Sequence, residues 1–526
     1  MEAVEVVLGL LVLVALLTVV ARRIGIPYPI LMTLGGLALG LIPGLPRIEL
    51  APELVFLLFL PPLLFAAAYF TSPRELLANA RPIGLLAVGL VLATTGVVAV
   101  VVHALVPSIG WPAAFALGAI VSPPDAVAAT AIAQRLGLPR RLVIILEGES
   151  LVNDATALVA YRLAVAAALT GAFSLGEAAG SFVFVSVGGV GIGLAVGWLI
   201  VQTMERLEDP PVEVLISLLG PFAAWLPAEA LGVSGVLSVV TAGIVLGRSA
   251  SRILGSDARV LGLGVWQMLV FVLNGLVFIL IGLQLPGILD HLSASESAGE
   301  LAVLAVVVSA TVILVRLVWV FPAAYLPGML PGALRARDPA PSPRSVLVLG
   351  WAGMRGVVSL AAALALPITL ADGTPFAGRE LVLFLTFSVI LATLVGQGLS
   401  LPWLIRRLGI GDDGSAGHEE LHAREAAIGA ALLRLDELAD EWPGHRELID
   451  NLRERHEHAT GHLEHDHEAG EAPLDQEAVE HGAIQRAVIE AQRLAVIDLR
   501  DRGVIGDEAL RRVERELDLE ELRGEG

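Results

Sequence analysis

Thirteen long apolar stretches, separated by charged, glycine-rich or proline-rich breaks, occupy the first 410 residues of this chain. A helix that spans a bilayer needs roughly 20 mostly apolar residues. At 56% hydrophobic residues, the chain is too apolar for soluble domains of ordinary composition. The sequence therefore predicts an all-α polytopic membrane protein with about 13 transmembrane helices. The stretches cover residues 4–20, 27–42, 52–70, 82–106, 111–134, 142–169, 177–203, 211–228, 231–247, 260–285, 299–328, 345–370 and 379–405.

The arginines predict the orientation of these helices, because cytoplasmic loops collect positive charge. If the amino terminus is outside, the inner loops hold 16 arginines and the outer loops hold two, Arg47 and Arg379. One missed or invented span would reverse every later loop. The asymmetry therefore supports the predicted number of spans and predicts that the carboxy-terminal tail is cytoplasmic.

The acidic residues divide the chain into two parts. Residues 1–410 hold 22 acidic residues and 21 arginines, whereas the tail, 411–526, holds 31 acidic residues and 13 arginines. A strongly acidic tail argues against nucleic acid as a partner. The chain has no cysteine, which excludes disulfides, thiolate metal sites and a cysteine nucleophile.

The fifth stretch carries an acid beside two prolines, in the segment AIVSPPDAVAATAI. Pro123 and Pro124 remove two successive backbone donors, so we expect the helix to break just before Asp125. A broken helix in a membrane needs protein or a polar cavity to satisfy the freed backbone groups. The alternative interpretation is a proline kink with a solvated acid.

The sixth stretch contains the polar segment EGESLVND. Ser150 and Asp154 are one helical turn apart, and so are Glu149 and Asn153, which places two polar ridges side by side at the centre of the helix. A carboxylate, a hydroxyl and an amide at one depth offer oxygen ligands to a monovalent cation. The alternative is a polar cluster that packs helices without a ligand.

Three arginines lie within predicted spans, where charged residues are costly. Arg316 needs an anion, and we expect it to pair with Glu149, which leaves Asp154 as the carboxylate free to titrate. Arg355 lies in GWAGMRG, whose glycines weaken the helix and allow close backbone approach or ordinary tight packing. Arg162 is a structural residue near the outer surface or a gate.

The two interrupted stretches, the fifth and the twelfth, are seven apart and therefore cross the bilayer in opposite directions. Interrupted helices at corresponding points of two oppositely oriented halves are typical of inverted-repeat secondary transporters with a site at the midplane. The first six stretches then correspond to the last six. Asp125 and Arg355 are expected to offset the unlike ends of the facing half-helices.

Four segments carry a family resemblance: SPPDAVAATAI, EGESLVNDATALV, the arginine in RLVWVFPAAYLP, and GWAGMRGVVSL. In this order, the chain resembles the bacterial monovalent cation/proton antiporters of the sodium/proton exchanger type from about Ile26 to Leu408. The resemblance implies a homodimer with a thirteen-helix membrane domain in 1–410 and two crossed broken helices. It also implies core helices at about 82–169 and 299–405, and dimerisation or scaffold helices at about 1–70 and 211–285.

The resemblance further implies roles for individual residues. Asp154 would carry a proton and a cation in alternation. The implied cation and proton site consists of Asp154, Asn153, Ser150 and Asp125. Glu149 and Arg316 form the implied structural ion pair. An Asn-Asp pair in place of two aspartates is associated with electroneutral one-for-one exchange.

Together with these observations, the resemblance implies a secondary antiporter of the bacterial inner membrane, not an enzyme, that serves pH homeostasis by alternating access. Its expected partners are the lipid bilayer, a proton and a monovalent cation, with sodium first and potassium or lithium second. No cofactor and no metal centre is expected. Relatives often carry an acid after LPPLLF where this chain has Ala66, so the selected cation stays open.

Three other classes of protein stay open at this point. A channel could use a similar polar midplane, and an anion transporter could share the inverted repeat. A membrane-embedded aspartyl protease could use Asp125 and Asp154 as a catalytic pair.

For the tail we expect two helices, within 423–442 and 483–505, and a histidine-rich loop at 453–473 between them. A metal or pH-sensing site in this loop is one interpretation, and a solvated linker is the other.

Overall fold

The computed structural model describes residues 2–42, 55–171, 174–291, 297–329, 341–369, 374–411 and 414–468, together with scattered positions between 488 and 517. The chain forms two compact units, Met1–Ser415 and Ala416–Gly526. The division lies slightly beyond the predicted one at residue 410.

The first unit consists of helices. In chain order the longer ones are α1 (Glu2–Ile24), α2 (Tyr28–Gly40), α3 (Val55–Phe70), α4 (Ala80–Leu105), α5 (Gly110–Val121), α6 (Ala126–Arg135), α7 (Arg140–Thr170), α8 (Leu175–Met204), α9 (Pro210–Ala230), α10 (Gly235–Ile253), α11 (Ser256–Leu283), α12 (Ala298–Met329), α13 (Pro343–Trp351), α14 (Val357–Leu364) and α15 (Arg379–Leu408). Two short helices lie at Pro73–Ala78 and Leu285–His291. Apart from one isolated bridge between Thr369 and Pro375, the described residues contain no β-structure. The predicted all-α fold class is confirmed.

Eight of the described helices, α1, α4, α8, α9, α10, α11, α12 and α15, are long and apolar enough to cross a membrane. Three shorter apolar helices, at Tyr28–Gly40, Val55–Phe70 and Pro107–Val121, accompany them. Each predicted stretch coincides with one helix or with a pair, α5 with α6 and α13 with α14. The number of crossings stays a prediction.

Small residues allow these helices to pack closely. A Cβ at Gly36 of α2 would collide with the carbonyl of Ile279 in α11, and a Cβ at Gly282 would collide with the carbonyl of Thr33. Lipid tails are as apolar as the side chains, so close contacts of this kind, and not the hydrophobic effect, hold helices together in a bilayer. The glycines therefore fix α2 against α11.

Two apolar clusters fill the first unit. One joins α3, α8, α9 and α10 with parts of α7 and α11, and the other joins most of the remaining helices. Large apolar side chains on the outer faces, such as Leu8, Trp198 and Val306, are exposed, as contact with lipid requires.

The tail begins with two helices, α16 (Ser415–Glu441) and α17 (Arg446–Glu468), which are joined by a turn at Pro443–His445. Arg453 of α17 donates a hydrogen bond to Asp436 of α16, and Leu435 and Ile449 are buried. The first of the two expected tail helices is therefore present, with a start earlier than predicted.

The predicted histidine-rich loop is wrong for residues 453–468, which belong to α17. This segment has no proline and only one glycine, and its glutamate, arginine, leucine and alanine residues favour a helix despite the charge. Residues 469–473 of the predicted loop, and most of the expected helix at 483–505, lie outside the described residues.

Candidate functional site

The first helix interruption separates α5 from α6. Pro123 and Pro124 cannot donate backbone hydrogen bonds, and the chain is non-helical from Ser122 to Asp125. Asp125 precedes the first turn of α6, where its Oδ1 accepts a hydrogen bond from the backbone N–H of Val127 at 2.8 Å. The carboxylate thus caps α6 and lies at the positive end of its dipole.

The second interruption separates α13 from α14 and contains Arg355, which is fully buried. The Nε of Arg355 donates to the carbonyl of Val121 at 2.9 Å, and its Nη2 donates to the carbonyl of Ser122 at 3.2 Å. These carbonyls end α5 and have no partner within that helix. The guanidinium therefore places positive charge at the negative end of the α5 dipole.

The two interruptions contact each other through the main chain. The N–H of Asp125 donates to the carbonyl of Met354 at 2.7 Å. The N–H of Arg355 donates to Oγ1 of Thr393 in α15 at 3.1 Å. A Cβ on Gly356 would collide with the side chain of Asp125, so a larger residue at this position would force that side chain or the backbone to shift. The crossing therefore depends on close backbone approach.

α7 passes beside the crossing. Asn153 donates its Nδ2 to the carbonyl of Pro124 at 2.9 Å, and its buried Oδ1 has no hydrogen-bond partner among the described residues. Asp154 is also buried, and it lines a cavity together with Ser150 and Asp125. The structure thus brings the predicted site residues to one place, with three of them on the cavity wall and Asn153 bonded to that wall.

Glu149 and Arg316 form a buried ion pair outside the lining of this cavity. The Nη1 of Arg316 lies 2.5 Å from Oε1 of Glu149, and its Nη2 lies 2.9 Å from Oε2. Nη2 also donates to the carbonyl of Leu349 at 3.1 Å. Both side chains are only 1% exposed, so removing one partner would leave an uncompensated buried charge.

The cavity has a volume of about 360 Å³. Asp125 and Asp154 line it, and its wall extends to Thr71, just beyond the end of α3, and to Glu147, near the start of α7. The cavity therefore extends from the two carboxylates toward the end of the helix bundle at which Arg140 begins α7.

Asn274 of α11 was not among the residues predicted from the sequence. It is buried, it lines the cavity, and its side chain forms a hydrogen bond with Tyr28. A single amide within the apolar run FVLNGLVFIL was the available signal. Ser359 of α14 was also missed. It lines the cavity, and its buried hydroxyl has no partner among the described residues.

Ala66 and Arg162 lie away from the cavity lining. The lining uses Leu63, Leu64 and Ala67 of α3, whereas Ala66 is buried in the apolar cluster that α3 shares with α10. An acid at this position would therefore face apolar side chains. Arg162 forms an ion pair with Glu229 at 2.9 Å, in which both side chains are partly exposed.

The arrangement suits a small hard cation, because carboxylate, hydroxyl and amide oxygens surround one cavity. An ionised carboxylate away from bulk water is costly, so either a proton or a cation must neutralise it. The described residues contain no group of three or more His, Cys, Asp or Glu side chains that could form a metal centre.

Comparison with known proteins gives a consistent result. The family of sodium/hydrogen exchangers, transmembrane region, matches residues 9–407. An uncharacterized Na⁺/H⁺ exchanger of Mycobacterium tuberculosis strain H37Rv is 37% identical over 98% of this chain and 96% of that protein. A sodium, potassium, lithium and rubidium/H⁺ antiporter of Bacillus subtilis strain 168 is 40% identical over 77% of this chain and 62% of that protein.

Solved structures show the same fold. The sodium proton antiporter MjNhaP1 from Methanocaldococcus jannaschii superposes with a TM-score of 0.63 at 20% sequence identity. The superposition covers 78% of this chain and 98% of that chain. The helix arrangement described above is therefore shared with an antiporter structure.

Proposed function

Because this chain belongs to the sodium/hydrogen exchanger family and is therefore a multi-span membrane antiporter for a cation and a proton, we propose that the two ions compete for Asp154. The observation that carries this proposal is the position of Asp154, which is only 6% exposed and yet lines a cavity. The carboxylate therefore lies at the cavity wall while it stays largely shielded from solvent.

Competition at one carboxylate couples the two fluxes. A bare carboxylate at this depth is costly, so Asp154 rarely moves through the membrane empty. A cation that enters displaces the proton, and a proton that enters displaces the cation. Each movement of the site then carries one or the other, and net transport of either ion requires the other.

Neighbouring residues supply further oxygen ligands. Ser150 and Asp125 line the same cavity, and the Oδ1 of Asn153 is oriented because its Nδ2 is held by Pro124. At the position before Asp154, Asn153 carries an amide in place of a second carboxylate, which supports electroneutral exchange of one cation for one proton.

The lining of the cavity supports alternating access. One wall comes from α3 and α11, within the predicted scaffold, and the other comes from α6, α7 and α14, within the predicted core. If the core moves against the scaffold, the walls separate on one side and close on the other. The scaffold would also form the contact between two copies in a homodimer.

The arginines support one orientation for this state. The cavity extends toward the end of the bundle that carries Arg74 and Arg140, and positive loops favour the cytoplasm. The structure would then be inward-facing, with the amino terminus outside, the acidic tail in the cytoplasm and the protein in the bacterial inner membrane.

Sodium is the first candidate cation. The M. tuberculosis relative is named for sodium, whereas the B. subtilis relative is named for sodium, potassium, lithium and rubidium. Potassium is the second candidate because of that name.

Exchange in proteoliposomes tests the proposal. A pH-sensitive dye inside the vesicles reports proton movement when sodium or potassium is added, with the membrane potential clamped. Asp154→Asn keeps the size and burial of the side chain and removes its charge, so exchange should vanish while the protein remains folded. Asp209→Asn is the matched control, because Asp209 is an exposed cap at the start of α9.

Loss of exchange in Asp154→Asn, with a normal rate in Asp209→Asn, supports competition at Asp154. Substantial cation-dependent proton flux in folded Asp154→Asn overturns it. A response to an anion gradient in place of a cation gradient would instead identify an anion transporter.

A further inference from the structure

α6 separates two cavities. Val127 and Thr130 line the cavity of the carboxylates, whereas Ile132 and Leu136 line a second cavity of about 450 Å³. No residue of the proposed ion site lines the second cavity. It contains neither carboxylate, so its chemistry differs from that of the first.

The second cavity combines an apolar lining with two positive charges. Ile26, Ile132, Leu136 and Phe271 contribute apolar surface, and Arg22 and Arg406 contribute guanidinium groups. Both arginines are exposed. No carboxylate of the described residues forms an ion pair with either of them. The Nε of Arg406 donates a hydrogen bond to the carbonyl of Pro402 at 3.1 Å, so its positive charge, like that of Arg22, has no anionic partner among the described residues.

We propose that this cavity binds an anionic phospholipid, with its phosphate between Arg22 and Arg406 and an acyl chain against the apolar lining. Basic pockets between membrane helices on the cytoplasmic side are suited to such headgroups. Both arginines lie in the last turn of their helices, α1 and α15, at the end that we assign to the cytoplasm.

The apolar lining favours a lipid over a free phosphate ion. A free phosphate would satisfy the arginines and leave the surface of Ile26, Leu136 and Phe271 uncovered.

A lipid in this position would contact both moving parts of the transporter. Arg22 and Phe271 belong to the predicted scaffold, whereas Ile132 and Arg406 lie on α6 and α15 of the core. The bound phosphate would bridge the two parts and favour the conformation that keeps the arginines together. This consequence rests on the proposed function, whereas the binding itself does not.

Binding is measured on the full-length protein in detergent, with short-chain phosphatidylglycerol as the probe and calorimetry as the readout. Short-chain phosphatidylcholine and inorganic phosphate serve as further probes. The test variant is Arg22→Gln with Arg406→Gln. The control variant, Arg23→Gln with Arg407→Gln, changes the adjacent arginines, which are also exposed but do not line the cavity.

The test variant should bind phosphatidylglycerol about 30-fold more weakly than wild type, since each arginine near an anionic lipid contributes about 1 kcal/mol. The control variant should bind within about threefold of wild type. Phosphatidylcholine and phosphate should bind far more weakly than phosphatidylglycerol. Equal losses in the two variants, or equal binding of inorganic phosphate, overturn the proposal.

Exchange in liposomes then tests the bridge between scaffold and core. Adding phosphatidylglycerol to a phosphatidylcholine bilayer should change the exchange rate of wild type and of the control variant, and should leave the test variant unchanged. The same lipid response in all three proteins overturns the bridge. Absence of any exchange in wild type would count against the antiporter proposal alone, because the calorimetry does not depend on transport.

Discussion

Asn153 donates its side-chain amide to the main-chain carbonyl of Pro124 at 2.9 Å, which ties α7 to the first helix interruption. The carbonyl of Pro124 accepts this bond just beyond the end of α5, where main-chain carbonyls have no partner within a helix. The bond therefore fixes the position of Asp154, the next residue of α7, relative to Asp125. It also orients the side-chain amide so that the Oδ1 of Asn153 points away from the carbonyl of Pro124.

Asn153→Ala should lower the exchange rate about tenfold or more. The substitution removes one oxygen ligand and leaves the buried carbonyl of Pro124 without its partner, a loss of about 1–3 kcal/mol. Asn79→Ala is the control, because Asn79 is also a buried amide that donates to a main-chain carbonyl, that of Glu75, outside the crossing. Dye-based exchange rates in liposomes measure both. Equal exchange rates for the two variants would show that Asn153 is not part of the ion site.

Gly356→Ala should abolish exchange while the protein remains in the membrane. The added methyl group would collide with the side chain of Asp125, so either this carboxylate or the two interruptions must shift from the arrangement of the ion site. Gly396→Ala is the control, because a Cβ at that position meets no atom within 4 Å. Normal exchange by Gly356→Ala would show that the crossing need not be this close.

The ion pair of Glu149 and Arg316 should behave as a unit. Glu149→Gln or Arg316→Gln alone leaves one buried charge without its partner, and each should destabilise the protein by about 3–5 kcal/mol. The double variant should lose less than the sum of the single losses. Thermal unfolding in detergent, followed by tryptophan fluorescence, measures all four proteins. Additive losses would mean that the two charges do not stabilise each other.

The position of the first interruption could be predicted from the sequence because it follows from local covalent geometry. Two successive prolines remove two donors wherever they stand, and the helix does end just before them, at Val121. The separation of Ser150 and Asp154 by one helical turn is local in the same sense, and both line the cavity.

Contacts between distant segments were not predictable in this way. The sequence indicated that Arg355 offsets a helix end, but the carbonyls that it reaches, on Val121 and Ser122, depend on how two interruptions cross. Thr393 and Asn274 join the site from other helices. A single polar residue in an apolar run does not indicate which residue it contacts. The histidine-rich segment of α17 is helical because the helix propensity of its glutamate, arginine, leucine and alanine residues outweighs the high charge density.

The pH dependence of the transport kinetics tests whether sodium and the proton compete for Asp154. At low pH, Asp154 carries a proton that sodium must displace, so the apparent KM for sodium should rise as pH falls. Once the site is mostly protonated, the rise should approach about tenfold for each unit of pH, as expected for one linked proton. The maximal rate at saturating sodium should change much less. A fall in maximal rate at constant KM would place the pH effect outside the ion site.

Proton release on cation binding tests the central claim most directly. Purified protein in weakly buffered detergent is titrated with sodium at a pH where Asp154 is protonated, and released protons are counted against bound sodium. Competition at one carboxylate predicts one proton released for each sodium bound by wild type, and none released by Asp154→Asn. Sodium binding without proton release by wild type, or unchanged release by Asp154→Asn, would contradict the account.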